Sequence, residues 1–196
     1  AFIVDSYGPR GWSRQFAMAM VCTGVLLHGS QRAGDVLAAL FGVSERADVD
    51  ASKIVLAGWS HGGWGIMEAM SSERAAGMLG VADPVAVPLD GVVGTWLAYP
   101  YVGIGAFNRM RPWRHCPKTV AVISRTDHLT TVRNAQQVHD MVRNCGVDVE
   151  TWIADGTHSF DEPMTAPPMR YHPELAAEAE RRFVALLNDV AVAPAV

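Results

Sequence analysis

Charge and cysteine are scarce in this chain of 196 residues, and each shortage removes a class of protein. Charged residues make up 18%, the net charge is −4, and no block of Lys and Arg occurs. That argues against a nucleic-acid surface, which needs clustered basic side chains. The seven histidines never fall four apart on one helix beside a glutamate, so the metalloprotease signature is missing and no metal site is expected. Cys22, Cys116 and Cys145 lack C-x-x-C spacing; an odd number favours thiols and leaves a single bridge open. Mean hydropathy is +0.11, yet no apolar run approaches the ~18 residues of a membrane span. Residues 1–20 show no basic start followed by a long apolar core, so they do not read as a signal peptide. A cytoplasmic location is favoured, with secretion after processing left open. No internal repeat, linker or low-complexity tract interrupts the chain. Hydrophobic residues make up 49%, which suits one domain over 1–196 with a substantial core.

What is present is organised around Lys53 to Glu68. Gly58-Trp59-Ser60-His61-Gly62 is a G-x-S-x-G pattern. The apolar run Ile54–Ala57 precedes it and the helix-compatible run Gly65–Met70 follows. Strand, sharp turn and helix are what a nucleophile elbow requires. The turn forces the serine into a strained backbone, so Gly58 and Gly62 are expected to leave room where a β-carbon would clash.

Around this stretch the chain alternates. Phe2–Asp5 reads as a short buried strand and Ser6–Gly11 as a loop. From Ser13 to Leu27 the pattern is ambiguous: Ser13 can cap a helix, and Val21–Leu27 could be a strand. A helix is expected over Gln31–Phe41, and another from the elbow to about Arg74. Residues 75–90 look like a loop. Val92–Tyr99 reads as a buried strand, Tyr101–Pro117 as irregular with at most one short helix, and Thr119–Ile123 as a fully buried strand. In Thr130–Asn144, Val132, Ala135, Val138, Met141 and Val142 share a helical face, and Gly146 sits where a C-terminal cap belongs. Val147–Ile153 reads as a strand, 163–173 as a Pro-rich loop, and Glu174–Leu187 as the closing helix. The alternation predicts an α/β fold, with a mainly parallel sheet covered by helices on both faces. Ligands of such sheets bind beyond the carboxyl ends of the strands.

A serine hydroxyl needs a base, and the base needs an orienting carboxylate. Asp127 follows the strand Thr119–Ile123, and His158 follows Val147–Ile153, in the chain order Ser, Asp, His. Asp127 could instead cap the next helix, and His158 could be an ordinary loop histidine. His128 is expected to face solvent. Asp155 and Asp161 read as turn formers, and Asp90 lies at the wrong end of the sheet.

On Val4–Gly11, the elbow Gly58–Gly63, Arg125-Thr126-Asp127 and Asp155–Glu162, the chain resembles an α/β-hydrolase, and within that group the dienelactone hydrolase family. The resemblance covers nearly the whole chain. It implies Ser60 as nucleophile, His158 as base, Asp127 as the orienting acid, the His61 N–H as one oxyanion donor, and no cofactor. Dienelactone hydrolases proper carry cysteine at the elbow, so the serine resembles the esterase-type members. The implied reaction is hydrolysis of a small-molecule carboxylic ester or lactone through an acyl-enzyme. The rival readings are a non-catalytic or impaired binding protein of the same fold and a peptidase of the prolyl-oligopeptidase type. Trp59, Trp64, Tyr99, Tyr101 and Phe160 are candidates to line the substrate site, with core packing favoured for at least half of them. Arg10, Arg14 and Arg125 could meet a substrate carboxylate, with surface ion pairing the blander role.

In the family, the second oxyanion donor follows a strand that precedes the equivalent of Phe2–Asp5. The sequence has no residues there. It therefore resembles a member lacking its N-terminal strands: a truncated product, a processed piece, or one partner of a complementing pair. An exposed sheet edge would favour a homo-oligomer or a complementing N-terminal segment. Leu26-Leu27-His28-Gly29-Ser30 mimics the missing motif but follows Phe2–Asp5, and is read as a helix end and a turn.

Overall fold

Strands that read as continuous apolar runs pair side by side in a parallel sheet. The computed structural model describes residues 1–21, 26–71, 79–82, 89–106 and 110–192. Within these, β1 (Ile54–Trp59), β2 (Val92–Ala98), β3 (Lys118–Ser124) and β4 (Val149–Ala154) lie in the order β1-β2-β3-β4, each neighbouring pair parallel. The helices are α1 (Arg14–Val21), α2 (Gly29–Ser44), α3 (His61–Met70), α4 (Val132–Asn144) and α5 (Pro173–Val192).

Successive side chains of a strand point to opposite faces, and here both faces are covered. Ala121 and Ile123 of β3 enter a core built with α2, α3 and α4. Val120 and Val122 enter a second core built with α5. On β2, Leu97 belongs to the first core, and Trp96 and Ala98 to the second. Burial on both sides explains why these strands carry no polar alternation. Each large apolar side chain taken fully out of water contributes about 1.5–3 kcal/mol, so the two cores dominate the stability.

α4 buries Ala135, Val138 and Val142, with Val132 and Met141 at the rim of the core. Thr131 caps it by accepting the Asn134 N–H at 3.2 Å. Gly146, just past its end, has φ 92°, the left-handed geometry that ends helices and suits glycine. Within the ambiguous Ser13–Leu27 region, Arg14–Val21 forms the helix α1, and Ser13 Oγ accepts the Phe16 N–H at 3.2 Å. Cys22 lies outside the described residues, while Leu26 and Leu27 are not in a strand. α2 and α5 both run longer than the sequence suggests. α3 ends at Met70, short of the expected Arg74, with Ser71 extended and bridged to Trp113; most of 75–90 lies outside the described residues. The described part of 101–117 is irregular.

One element differs outright. Phe2–Asp5 is not a buried strand: Ile3 is 96% exposed, Phe2 and Val4 are exposed too, and none pairs with the sheet. A strand is stabilised by a ladder to a neighbour. β1 forms one end of the sheet, and among the described residues no strand stands beyond it for Phe2–Asp5 to join. Asp5 instead closes the following turn, accepting the Tyr7 and Gly8 N–H groups at 2.9 Å each.

Candidate active site

All the chemistry gathers at the carboxyl ends of β1, β3 and β4. Ser60 ends β1 and opens α3 with φ 50° and ψ −115°, a strained conformation outside the ordinary regions. The strain is held by its own backbone bonds. Ser60 N–H donates to the Ala98 carbonyl at 2.9 Å, and its carbonyl accepts from Trp64 at 3.1 Å and Tyr101 at 3.2 Å. A β-carbon on Gly58 would fall 2.7 Å from Gly62 C, Gly63 N and Ile66 Cδ1, and one on Gly63 would fall 2.9 Å from Pro100 Cβ. One on Gly62 would meet nothing within 4 Å. Close approach of β1 to α3 therefore requires Gly58, close approach of α3 to Pro100 requires Gly63, and Gly62 is not needed for space.

Ser60 Oγ lies 2.7 Å from His158 Nε2, and His158 Nδ1 lies 2.7 Å from Asp127 Oδ2. The side chains of His158 and Asp127 are 4% and 2% exposed. Asp127 Oδ1 accepts the Leu129 and Thr130 N–H groups at 2.7 and 3.1 Å. One carboxylate thus forms the turn before α4 and meets the histidine; capping of α4 itself falls to Thr131. Thr126 ties the two loops together, its N–H and Oγ1 both donating to the Gly156 carbonyl at 3.1 and 2.9 Å. With Nδ1–H donating to Asp127, Nε2 is left to accept the serine proton. His128 is exposed, its ring edge-on to His158 at 5.8 Å.

His61 supplies the first N–H of α3, a position without an intrahelical acceptor. Its imidazole is pushed down to about 4, by burial first and then by the Arg32 charge, and meets the Leu27 backbone. The neutral ring keeps positive charge off the elbow's flank. The expected helix end and turn at Leu26–Ser30 is instead a helix start: His28 is the N-cap of α2, and Gly29 and Ser30 are its first residues; a β-carbon on Gly29 would lie 2.1 Å from the Trp64 ring. That contact accounts for the glycine without an oxyanion role.

The aromatic candidates divide. Trp59, at the end of β1, is 43% exposed. Tyr99 has φ 37° and its ring sits edge-on to His158 at 4.8 Å. Burial, and secondly the Asp161 charge, raise its phenol well above the ordinary range. Trp64 is buried between His61 and Tyr101, with Nε1–H donating to Glu68 at 2.8 Å. Phe160 is completely buried against Tyr99 and Trp152. These two are packing residues rather than walls of a substrate site. Arg10 is bidentate to Asp35 at 2.9 and 2.8 Å and bonds the Ser6 carbonyl at 2.6 Å, so it ties its turn to α2. Arg125 pairs with Asp155 at 3.3 Å on the surface, and the Arg14 side chain lies outside the described residues. Cys116 and Cys145 are free thiols. Among the described residues, no group of His, Cys, Asp and Glu is placed to hold a metal ion, and no helix is long and apolar enough to cross a membrane.

Asp161 reads in the sequence as a turn former, and it does lie in the turn 158–161, but its carboxylate also reaches across to other strand ends. It accepts the Trp59 indole N–H at 2.9 Å and a short hydrogen bond from the Tyr99 hydroxyl. Only its nearness to His158 hinted at this; the convergence of three strand ends is not written in local sequence.

A parallel sheet between helices, a strained serine between strand and helix, and acid and histidine loops at the next strand ends define an α/β-hydrolase fold. Solved structures of that fold agree. The chain is similar to a dienelactone hydrolase-like promiscuous phosphotriesterase from metagenomic libraries, at 18% identity and TM-score 0.57, covering 81% of this chain and 61% of that one. It is similar to a putative dienelactone hydrolase from Klebsiella pneumoniae, at 13% identity and TM-score 0.61, covering 92% and 69%. It is similar to a thermophilic esterase from Thermogutta terrifontis with propionate bound, at 15% identity and TM-score 0.63, covering 86% and 68%. The chain thus spans roughly two thirds of the length of these structures. No family model and no curated protein matches the sequence.

Proposed function

We propose that the chain carries the catalytic machinery of a serine hydrolase acting on carboxylic esters or lactones. The observation that carries this is the unbroken line from Ser60 Oγ through His158 to Asp127, with both contacts at 2.7 Å. Ser60 Oγ attacks the carbonyl carbon as His158 Nε2 takes its proton. Asp127 holds the ring in the tautomer that can accept, and stabilises the imidazolium that forms. The tetrahedral oxyanion is met by the His61 N–H. Collapse expels the alcohol, which leaves with the proton from Nε2, and an acyl-Ser60 ester remains. Water then gives its proton to His158, attacks the acyl carbon, and releases the acid with Ser60 restored.

The likeness to esterases and dienelactone hydrolase-like structures supports this class, and serine at the elbow favours ester substrates over dienelactone. Among the described residues no strand pairs with the outer edge of β1, an edge that suits pairing with a second copy or with a complementing extended segment, which would bring the second oxyanion donor. A site left with one donor would be slower by about 10²–10³-fold. The test is turnover of short-chain aryl esters, beside peptide anilides, by the wild type and by Ser60→Ala. Ester turnover lost in Ser60→Ala is expected. Faster cleavage of anilides would favour a peptidase, and equal turnover in both proteins would remove the mechanism.

A further inference from the structure

We infer that Asp161 is a positioning residue of this site, a clamp that holds the nucleophile's strand and the wall of the base in one register. The inference rests on the reading of Ser60, His158 and Asp127 given above. Asp161 lies in the loop after β4, three residues beyond His158. Its Oδ2 takes the indole N–H of Trp59, the residue before Ser60, at 2.9 Å. Its Oδ1 takes the hydroxyl of Tyr99, the residue that follows β2. One carboxylate therefore joins the ends of β1, β2 and β4, and β2 lies between the strands that deliver Ser60 and Asp127.

Backbone strain marks the same three places. Ser60, Tyr99 and Ser159 have φ of 50°, 37° and 53°. Conformations of this kind cost about 1–3 kcal/mol each and persist only where their surroundings over-determine them. Ser60 adjoins Trp59, Tyr99 bonds Asp161 directly, and Ser159 separates His158 from the Phe160-Asp161 pair. The Ser159 side chain also meets the Tyr99 phenol. The Tyr99 ring, fixed at its hydroxyl end, packs edge-on to His158 at 4.8 Å on one side and to Phe160 at 5.7 Å on the other. Releasing the hydroxyl frees the ring that stops His158 from turning away from Ser60.

The test compares Asp161→Ala, Tyr99→Phe and the double variant with the wild type. The first readout is the reaction of Ser60 with a small fluorophosphonate, resolved into binding and bond-forming constants. Asp161→Ala is expected to lower the bond-forming constant about 10- to 100-fold, the range for a displacement near 1 Å, with binding little changed. Tyr99→Phe is expected to give a smaller loss, and the double variant no more loss than Asp161→Ala alone, because the hydroxyl acts through the carboxylate. A lower melting temperature with an unchanged bond-forming constant would mean a structural role only and would overturn the inference. Independent losses in the double variant would also overturn it.

The second readout needs no activity. In nitrogen-15 spectra, the Trp59 indole and the His158 ring resonances should both move in Asp161→Ala and stay in Arg10→Ala. Movement of the indole alone would show that the clamp does not reach the base, and would overturn it. A wild type that is never labelled would refute the catalytic reading, while these resonances would still decide the clamp.

Discussion

The elbow glycines allow the sharpest mutational contrast. In Gly58→Ala the new carbon would sit 2.7 Å from Gly62 C, Gly63 N and Ile66 Cδ1. Carbon atoms pack at about 3.5–4.0 Å, so β1 and α3 must separate by about 1 Å. Two of the three obstacles are backbone atoms and cannot rotate away. Overpacking of this kind costs about 1–3 kcal/mol, and a 1 Å misplacement of Ser60 costs about 10² in rate. In Gly62→Ala the new carbon meets nothing within 4 Å. A glycine inside a helix destabilises by roughly 0.5–1 kcal/mol relative to alanine, so this variant should gain stability of that order and keep its reactivity. Urea unfolding gives the stability difference, and the phosphonylation rate of Ser60 gives the reactivity. If Gly62→Ala proves as damaging as Gly58→Ala, the placement of α3 on β1 is wrong.

Three further outcomes follow from named contacts. In Asp127→Asn, the Leu129 and Thr130 N–H groups draw the amide oxygen toward themselves, which turns the NH₂ toward His158 Nδ1. The ring is then forced into the tautomer with Nε2 protonated, and ester turnover should fall by about 10⁴-fold, read as kcat with the fold checked by circular dichroism. His139 is buried in α4 and is pushed down to about 4, by burial first and then by the Arg143 charge. A histidine lowered in the folded state binds its proton better unfolded. Its contribution is therefore complete above about pH 6.5 and is lost as pH falls toward 4, by up to about 1.4 kcal/mol per unit. His61 adds a second such slope, so denaturant unfolding across this window should be steeper in the wild type than in His139→Leu. Arg10→Ala, which breaks a partly exposed pair with Asp35, should cost no more than about 1 kcal/mol and leave ester turnover unchanged; a large rise in KM would restore Arg10 as a substrate ligand.

Local signals carried much of the fold. The runs at 92–98 and 118–124 are mostly apolar with no polar alternation because each face meets its own layer of helix, and that pattern is legible without coordinates. Ser13 and Gly146 announced helix ends through side-chain and backbone chemistry that acts within a few residues; Thr131, the cap of α4, is not singled out by the sequence. Phe2–Asp5 misled for the complementary reason: it has a strand's composition, but a strand exists only with a neighbour, and pairing is not local. Gly62 misled because a motif letter does not say which way the helix faces. The positions of Ser60, Asp127 and His158 could be argued from strand ends and chain order. Trp64 and Phe160 could not be assigned as packing residues, nor Asp161 as a clamp. Those roles depend on which side chains meet in three dimensions; the partners of Asp161 lie 102 and 62 residues away in the chain.

The most direct test is incubation of the purified chain with a fluorophosphonate probe, followed by intact mass and peptide mapping. A single adduct on Ser60, absent in Ser60→Ala and in His158→Ala, is the predicted result. A folded chain that takes no adduct, or takes it elsewhere, would contradict the assignment of Ser60 and His158 as nucleophile and base.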